Sequence, residues 1–385
     1  MQFKTTLAGS LVFCFVATMA VAQVYTVTDL GPIAPVALNS WGQVAGNYNN
    51  QAFVWSAGSM RGLGILAGGT FSNASAINDI GVVTGSADGP GTVTPDWSDK
   101  RYKCADLTQP FTWRSQNGMH GLGVTLYYNG EYGQCFFTYY ATGINIHNQI
   151  VGSNESYATY QYGFLHGNGA TIFTDGYQTS ANGINNLGYV AGQTTNTGSE
   201  LDFQSHAVLW QNGVMTDLGT LGSSDTTNWS YCSVATALND VSQVVGYSST
   251  ETGGFSSEPC AYLSDSVDPF HAFLWSQAGG MQDLGVLPGD TVSLANKVND
   301  SGQVVGSSGA SPSYNQYGIL GLTGRGFVWT QANGMQDLNT LIPANSGWAL
   351  ISAVDVNYWG QIVGQGTING KTHGFLLTPT NPFLR

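Results

Sequence analysis

Charged side chains are scarce in this 385-residue chain, and basic side chains are the scarcest. Lys and Arg total 10 against 23 Asp and Glu, which gives a formal net charge of −13. A surface of this kind repels phosphate backbones, so nucleic acid is excluded as a partner. Low charge does not indicate disorder here, because 42% of the residues are hydrophobic. Beyond residue 22 no apolar run is long enough to cross a bilayer, so we expect no membrane span.

Signatures of catalysis are also missing. The chain has six histidines. Three of them, His206, His271 and His373, occupy one position of a repeat and are therefore interpreted as structural. No H-E-x-x-H, G-x-S-x-G, phosphate-loop or EF-hand pattern occurs. The sequence predicts no catalytic residue, no metal site and no cofactor.

Cysteine is sparse, with four residues beyond the first 22. An even number without a C-x-x-C spacing, in an exported protein, favours disulfides over a zinc site. Three pairings are possible. We favour Cys104–Cys135 and Cys232–Cys260, because each pair lies within adjacent segments.

The first 22 residues resemble an export signal. Lys4 precedes an apolar run, and Ala20-Val21-Ala22 forms a small-x-small cleavage site. We predict cleavage after Ala22 and a secreted or periplasmic protein. Residues 23–379 then form one domain and 380–385 a tail. Oligomeric state, and release from or retention at the cell envelope, stay open.

The chain is rich in repetition. A phrase such as KVNDSGQVVGSS (297–308) occurs seven times, always with a glycine seven residues after its Asn. The residues up to Asn are typical of a strand, A. The next few residues are typical of a turn, which a glycine at positive φ usually closes. The residues Gln-Val-Val-Gly that follow are typical of a second strand, which we call strand B. The seven asparagines, interpreted as structural, are Asn39, Asn78, Asn145, Asn185, Asn239, Asn299 and Asn357.

A second hairpin, strands C and D, follows each first one, as in HAFLWSQAGGMQDLG from His271. Four-stranded units repeated at 39–67 residues are typical of a β-propeller. The mature chain opens on a D-type strand, YTVTDLG, and closes on a C-type strand, HGFLLTP. We therefore predict an all-β, seven-bladed propeller in which the N-terminal strand completes the last blade (1+3 closure). The residues interpreted as packing between blades are Trp55, Trp113, Trp210, Trp275 and Trp329.

These motifs resemble the HAF-repeat family of extracellular repeat proteins, whose tripeptide stands here as His271-Ala272-Phe273. The resemblance runs from about Tyr25 to Pro379 and is weakest in the third unit, YGFLHGNGATIFTDG. It implies secretion and a repeat architecture. It implies no reaction, ligand or site residue.

Nearly all length variation falls in the B–C and D–A loops, which share one face of a propeller. Varied loops on a rigid scaffold favour binding. Their aromatic residues suit sugar rings or protein partners. We predict a non-catalytic binding module for a glycan or an extracellular protein, and place Trp348 among the loop aromatics. The candidate ligand-binding residues are Trp97, Tyr157, Tyr160, Trp229, Tyr314 and Tyr317.

Two other functions stay open at this point. Loop carboxylates at the central channel could serve a polysaccharide-acting enzyme, a glycosidase or lyase, and clustered ones could hold Ca²⁺. A structural envelope or matrix protein is the third possibility. The A–B turns are interpreted as structural only.

Overall fold

The computed structural model describes residues 25–89, 108–123, 137–156, 161–167, 171–173, 179–195, 205–222, 232–250, 270–310, 313–314, 320–322 and 324–381. This part of the chain is built from strands, and its only helix is a short 3-10 segment, Leu338–Thr340. Within these ranges, no helix has the length and apolar character needed to cross a membrane.

The described strands form seven four-stranded antiparallel sheets, the blades. Blade 1 contains β2 (Ala34–Leu38), β3 (Val44–Tyr48), β4 (Gln51–Ser56) and β5 (Ser59–Gly62). Blade 2 contains β6 (Ser72–Ile77), β7 (Val83–Asp88), β8 (Thr108–Arg114) and β9 (Gly118–Gly121). Blade 3 contains β10 (Phe137–Ile144), β11 (Ile150–Ser156), β12 (Gln161–His166) and β13 (Thr171–Phe173). Blade 4 contains β14 (Thr179–Ile184), β15 (Val190–Thr195), β16 (Ser205–Gln211) and β17 (Val214–Asp217).

The remaining blades follow the same plan. Blade 5 contains β18 (Ser233–Leu238), β19 (Val244–Ser249), β20 (Phe270–Ser276) and β21 (Gly280–Asp283). Blade 6 contains β22 (Val292–Val298), β23 (Val304–Gly309), β26 (Arg325–Thr330) and β27 (Gly334–Asp337), with a small hairpin of β24 (Ser313–Tyr314) and β25 (Leu320–Gly321) between its second and third strands. Blade 7 contains β28 (Trp348–Val356), β29 (Ile362–Ile368), β30 (Lys371–Pro379) and β1 (Tyr25–Gly31). The predicted seven-bladed β-propeller is confirmed.

Blade 7 joins the two ends of the described chain. Its strand order is β1-β30-β29-β28, with Tyr25 opposite Pro379 and Asp29 opposite Phe375. The Asp29 carboxylate also contacts His373 Nδ1 at 2.9 Å. The same His–Asp contact links strands C and D in blades 4 and 5, so these histidines have a structural role.

The central residues of strand C are apolar because both faces of the strand are buried between blades there. In β20, Ala272 and Leu274 pack with blade 6, whereas Phe273 points the other way and packs with blade 4. Side chains alternate across a strand, so a fully buried strand reads as an unbroken apolar run. Of the predicted packing tryptophans, Trp113, Trp210 and Trp329 are buried, and Trp55 and Trp275 are half-buried.

Buried serines at the start of strand A tie neighbouring blades together. Ser293 Oγ accepts from the Ala272 amide at 2.8 Å and donates to the Gly285 carbonyl at 2.6 Å. Ser72 and Ser233 make the equivalent pair of bonds to the blades that precede theirs. The buried hydroxyls of these three serines are thereby satisfied at the boundaries between blades 1 and 2, 4 and 5, and 5 and 6.

Trp348 is placed differently from the prediction. It begins strand β28 and is half-buried, with its ring edge-on to Phe375 at 6.1 Å between centroids. Trp348 is therefore a packing residue of blade 7 and not a loop aromatic.

Candidate binding face at the channel mouth

The seven A strands surround the propeller axis, because each contacts the A strand of the next blade around the full circle. At the end formed by the A–B turns lies a cavity of about 160 Å³. Turn residues of all seven blades line it. We call this end of the channel the mouth, and the side of the disc that carries the A–B turns the turn face.

A closed ring of hydrogen bonds shapes the mouth. The Nδ2 group of each repeat asparagine donates to the main-chain carbonyl of the repeat asparagine in the next blade. The distances from Nδ2 to the carbonyl oxygen are 3.2 Å for Asn39–Asn78, 2.8 Å for Asn78–Asn145, 3.0 Å for Asn145–Asn185, 3.1 Å for Asn185–Asn239, 2.9 Å for Asn239–Asn299, 3.0 Å for Asn299–Asn357 and 3.0 Å for Asn357–Asn39. All seven side chains are buried. The asparagines therefore hold neighbouring blades together as well as their own turns.

The same side chains fix the turns. In blade 6, Asn299 Oδ1 accepts from the amides of Ser301 (3.2 Å) and Gln303 (3.0 Å). Its Nδ2 also donates to Gln303 Oε1 at 2.9 Å. As predicted, a glycine closes five of the turns at positive φ, for example Gly302 at 79°. Since these bonds recur from blade to blade, the mouth is a rigid frame.

The residue directly after the repeat asparagine contributes a negative charge to the mouth in three of the seven blades. These positions hold Ser40, Asp79, Ile146, Asn186, Asp240, Asp300 and Tyr358. The Asp79 carboxylate accepts from Ser40 N at 2.8 Å and Oγ at 3.0 Å. The Asp240 carboxylate accepts from Asn186 N at 2.8 Å and Nδ2 at 2.7 Å, and Asp300 Oδ1 accepts from Asp240 N at 2.9 Å. Each carboxylate is thus held against the preceding turn by neutral donors.

The second residue after each asparagine is apolar and exposed in five of the seven turns. We call these five side chains the mouth ring: Trp41, Ile80, Leu187, Val241 and Trp359. Trp41 is 78% exposed, although its Nε1 donates to the Asp79 carbonyl at 2.8 Å. Trp359 packs edge-on against exposed Tyr358, with 5.3 Å between ring centroids. The remaining turns carry exposed His147 and Ser301 at this position.

Two charged residues lie deeper in the channel, at a repeat position that holds only Ala or Gly in the other five blades. Lys297 and Asp355 lie two residues before their asparagines, next to a β-bulge in strand A. Asp355 is buried, and its carboxylate accepts from Leu38 N of blade 1 at 2.7 Å and from Val356 N at 2.8 Å. Burial raises the pKa of Asp355, although the charge of Lys297 and these two amides act in the opposite direction. Asp355 therefore links blade 7 to blade 1, with Lys297 as its neighbouring cation.

Most of the predicted site residues lie outside the described residues. These are Trp97, Tyr157, Tyr160, Trp229 and Tyr317, together with Cys104, Cys135 and Cys260. Tyr314 belongs to strand β24. Cys232 is buried and disulfide-bonded, to a partner outside the described ranges, so the predicted pairing stays a prediction. In the part of the chain that the structure describes, no group of three His, Cys, Asp or Glu side chains could hold a metal ion.

The mouth ring is not among the sequence-based predictions, because the A–B turns are interpreted from the sequence as structural only. A signal was present. Turns normally carry Gly, Asn, Asp, Ser or Pro, yet the second turn position reads Trp, Ile, His, Leu, Val, Ser and Trp along the chain. An apolar residue repeated at this turn position departs from that pattern and is visible in the sequence.

Comparison with solved structures finds chains that share a likeness of fold at low sequence identity. No family model matches the sequence, and a search of curated proteins finds no match. The chain is similar to dipeptidyl peptidase 4 of Porphyromonas gingivalis, with a TM-score of 0.41 and 9% identity over 79% of this chain and 45% of that one. It is similar to XC5397, a gluconolactonase from Xanthomonas campestris (TM-score 0.36, 9% identity, 93% and 91% covered). A chain of the mitotic checkpoint complex gives a TM-score of 0.44 and 11% identity, with 98% of each covered. The chain spans less than half of the peptidase, and likenesses of this degree carry no argument about function.

Proposed function

We propose that this protein is a non-catalytic binding module that docks a partner protein on its turn face. The observation that carries the proposal is the mouth ring, five exposed apolar side chains at one repeat position around the channel. A soluble surface seldom concentrates exposed apolar residues in this way unless something covers them. Trp and Tyr are also the residue types most often found at the centres of protein interfaces.

Rigidity supports the same proposal. The mouth ring stands on turns that are fixed by the asparagine bonds within and between blades. Binding to a preorganised surface costs less conformational entropy than binding to a mobile one. The carboxylates of the mouth already accept hydrogen bonds from neighbouring turns, which favours a binding role over a catalytic one.

The chemistry of the ring favours protein over glycan. Sugar rings are recognised by planar aromatic faces bordered by polar groups, whereas Ile80, Leu187 and Val241 offer branched aliphatic surface. The aromatic residues predicted on the loop-rich face remain a second binding hypothesis for a glycan or protein. The signal-like residues 1–22 and the tripeptide His271-Ala272-Phe273 support the further proposal that the protein is secreted and belongs to the HAF-repeat family.

The test uses a random peptide library displayed on phage and selected against the whole protein, with a glycan array in parallel. Recovered peptides should bind Val241→Ser and Trp359→Ser at least about tenfold more weakly than the unaltered protein. Val214→Ser is the matched control, since Val214 is 64% exposed and Val241 61%, but Val214 lies on the outermost strand of blade 4. Failure to recover any peptide, or equal loss from the control, would contradict the proposal.

A further inference from the structure

The mouth concentrates negative charge that the described residues do not balance. Asp79, Asp240, Asp300 and Asp355 line the cavity with a single cation, Lys297. Lys297 lies beside Asp355, deeper in the channel, and acts electrostatically on it. For Asp79, Asp240 and Asp300, the described part of the chain shows bonds only from neutral amide and hydroxyl donors and no ion pair.

Two of these carboxylates follow one another around the rim. Asp300 accepts from the main-chain amide of Asp240, which brings blades 5 and 6 together with an acid on each turn. Like charges held near one another raise the energy of the free protein, and a cation placed between them lowers it. The chain as a whole carries a net charge of −13, so its own surface reinforces this negative potential.

We propose that the partner protein inserts a lysine or arginine side chain into the mouth, with apolar residues of the same segment packed on the mouth ring. This inference rests on the proposed function and names the chemistry of its partner. A long basic side chain suits the geometry, because its methylene stem can cross an apolar ring while its charged head reaches carboxylates beyond. The fixed carboxylates then make charge-assisted hydrogen bonds, which are stronger than bonds between neutral groups.

Charge also selects against other occupants of the turn face. A second copy of this chain would bring the same acids face to face, at a cost in repulsion. An anionic membrane or a phosphorylated ligand would meet the same repulsion. An apolar segment without a basic residue would cover the mouth ring but leave three desolvated carboxylates without a counter-charge.

The experiment replaces Asp79, Asp240 and Asp300 together by Asn and uses the peptides selected from the random library. Asn keeps one oxygen to accept the neighbouring main-chain amide but loses the second acceptor that Asp240 offers to Asn186 Nδ2, so the triple variant should fold and melt below the unaltered protein. Recovered peptides should carry Lys or Arg between apolar residues and bind the triple variant at least about tenfold more weakly. Binding to the unaltered protein should weaken when salt is raised from about 50 to about 500 mM, because screening acts on the ion pairs.

The outcomes separate this inference from the proposed function. Peptides that need Val241 and Trp359 but lack a basic residue, or ignore both salt and the triple variant, overturn this inference alone. Peptides indifferent to both sets of changes overturn the docking proposal as well. Binding of anionic vesicles or array glycans that is lost in Trp359→Ser also overturns the inference. The salt series needs no variant, so the inference stays testable if the triple variant fails to fold.

Discussion

At the scale of single residues, one asparagine per blade holds both a turn and a blade boundary. Asn299 accepts two amide bonds within its turn and donates one bond to Gln303 and one to the carbonyl of Asn357. An amide side chain offers two acceptor sites and two donors, and this site uses all four. Asp would keep the acceptors and lose both donors.

Asn299→Ala and Asn299→Asp should each lower the free energy of unfolding by about 2–3 kcal/mol, because several buried hydrogen bonds are lost together. The Asp variant adds repulsion, since its second oxygen would face the oxygens of Gln303 and Asn357. Urea denaturation measures the change, with the exposed Asn333→Ala as control. An Asp variant as stable as the unaltered protein would show the ring bond to be dispensable.

The two halves of this role differ in how far the sequence predicts them. The turn bonds join residues at most four apart, so the repeated phrase was enough to predict them. The ring bond joins Asn299 to a residue 58 positions further on, and it requires the next copy to lie alongside. The same limit applies to the mouth ring, because the exposed turn residues form one surface only when the fold brings all copies of the turn around one axis.

Acid should weaken the His–Asp contacts at the outer strands. Burial alone would raise the pKa of Asp283, but the bond from His271, the Gly285 amide and the imidazole charge outweigh it and hold the pKa below the usual 3.8. A carboxyl whose pKa is lowered by folding stabilises the protein fully above the unfolded value and loses that contribution as pH falls through the folded value. The contribution therefore disappears below about pH 4.

The measurement compares melting temperatures of Asp283→Asn and the unaltered protein across pH. The gap between them should be largest near neutral pH and close as pH falls below about 4. Gln282→Asn, an exposed change on the same strand, serves as control and should show no such pH trend. A constant gap for Asp283→Asn would show that the carboxylate charge contributes nothing.

At the scale of elements, the glycine seven residues after each asparagine is explained by a bulge in strand A. In blade 6 the register of strand A shifts between Ala295 and Lys297, which presses its backbone towards Gly306 on strand B. A Cβ at Gly306 would collide with the Leu294 carbonyl and lie 2.8 Å from the Phe327 ring. The sequence revealed the invariant glycine, but its cause depends on a strand that bulges and a ring from strand C.

Gly306→Ala should destabilise the protein by about 3 kcal/mol or more, because an added methyl has no room between backbone and ring. Gly62→Ala is the matched control, also on a strand, where the nearest atom to an added Cβ is a side-chain oxygen at 3.8 Å. Thermal unfolding of both variants measures the difference. Equal melting temperatures would mean that the bulge relaxes easily and does not fix the glycine.

At the scale of the whole molecule, the repeat predicted the number of blades and the partner of the N-terminal strand. Seven A–B phrases give seven sheets, and YTVTDLG pairs with HGFLLTP in the order β1-β30. Both follow from counting strand types along the chain. The binding face does not follow from that count, because loop length and aromatic content favour the loop-rich face whereas the exposed mouth ring favours the turn face.

Deleting residues 23–31 should lower the melting temperature markedly, since it leaves β30 as an open edge and removes buried Tyr25 and Leu30. A synthetic peptide of residues 23–31 added in excess should restore part of the loss, because it can refill the edge. A truncated protein that melts with the full chain would contradict closure by this strand.

The docking claim is tested most directly by hydrogen–deuterium exchange of the unaltered protein with and without a saturating library-selected peptide. Protection on binding reports where a ligand sits without any substitution. Docking on the turn face predicts slower exchange in the turn segments 39–43, 78–82, 185–189, 239–243 and 357–361, with little change in 90–107 and 251–269. Protection confined to 90–107 and 251–269, with the turns unchanged, would contradict docking on the turn face and favour the loops predicted to bind from the sequence.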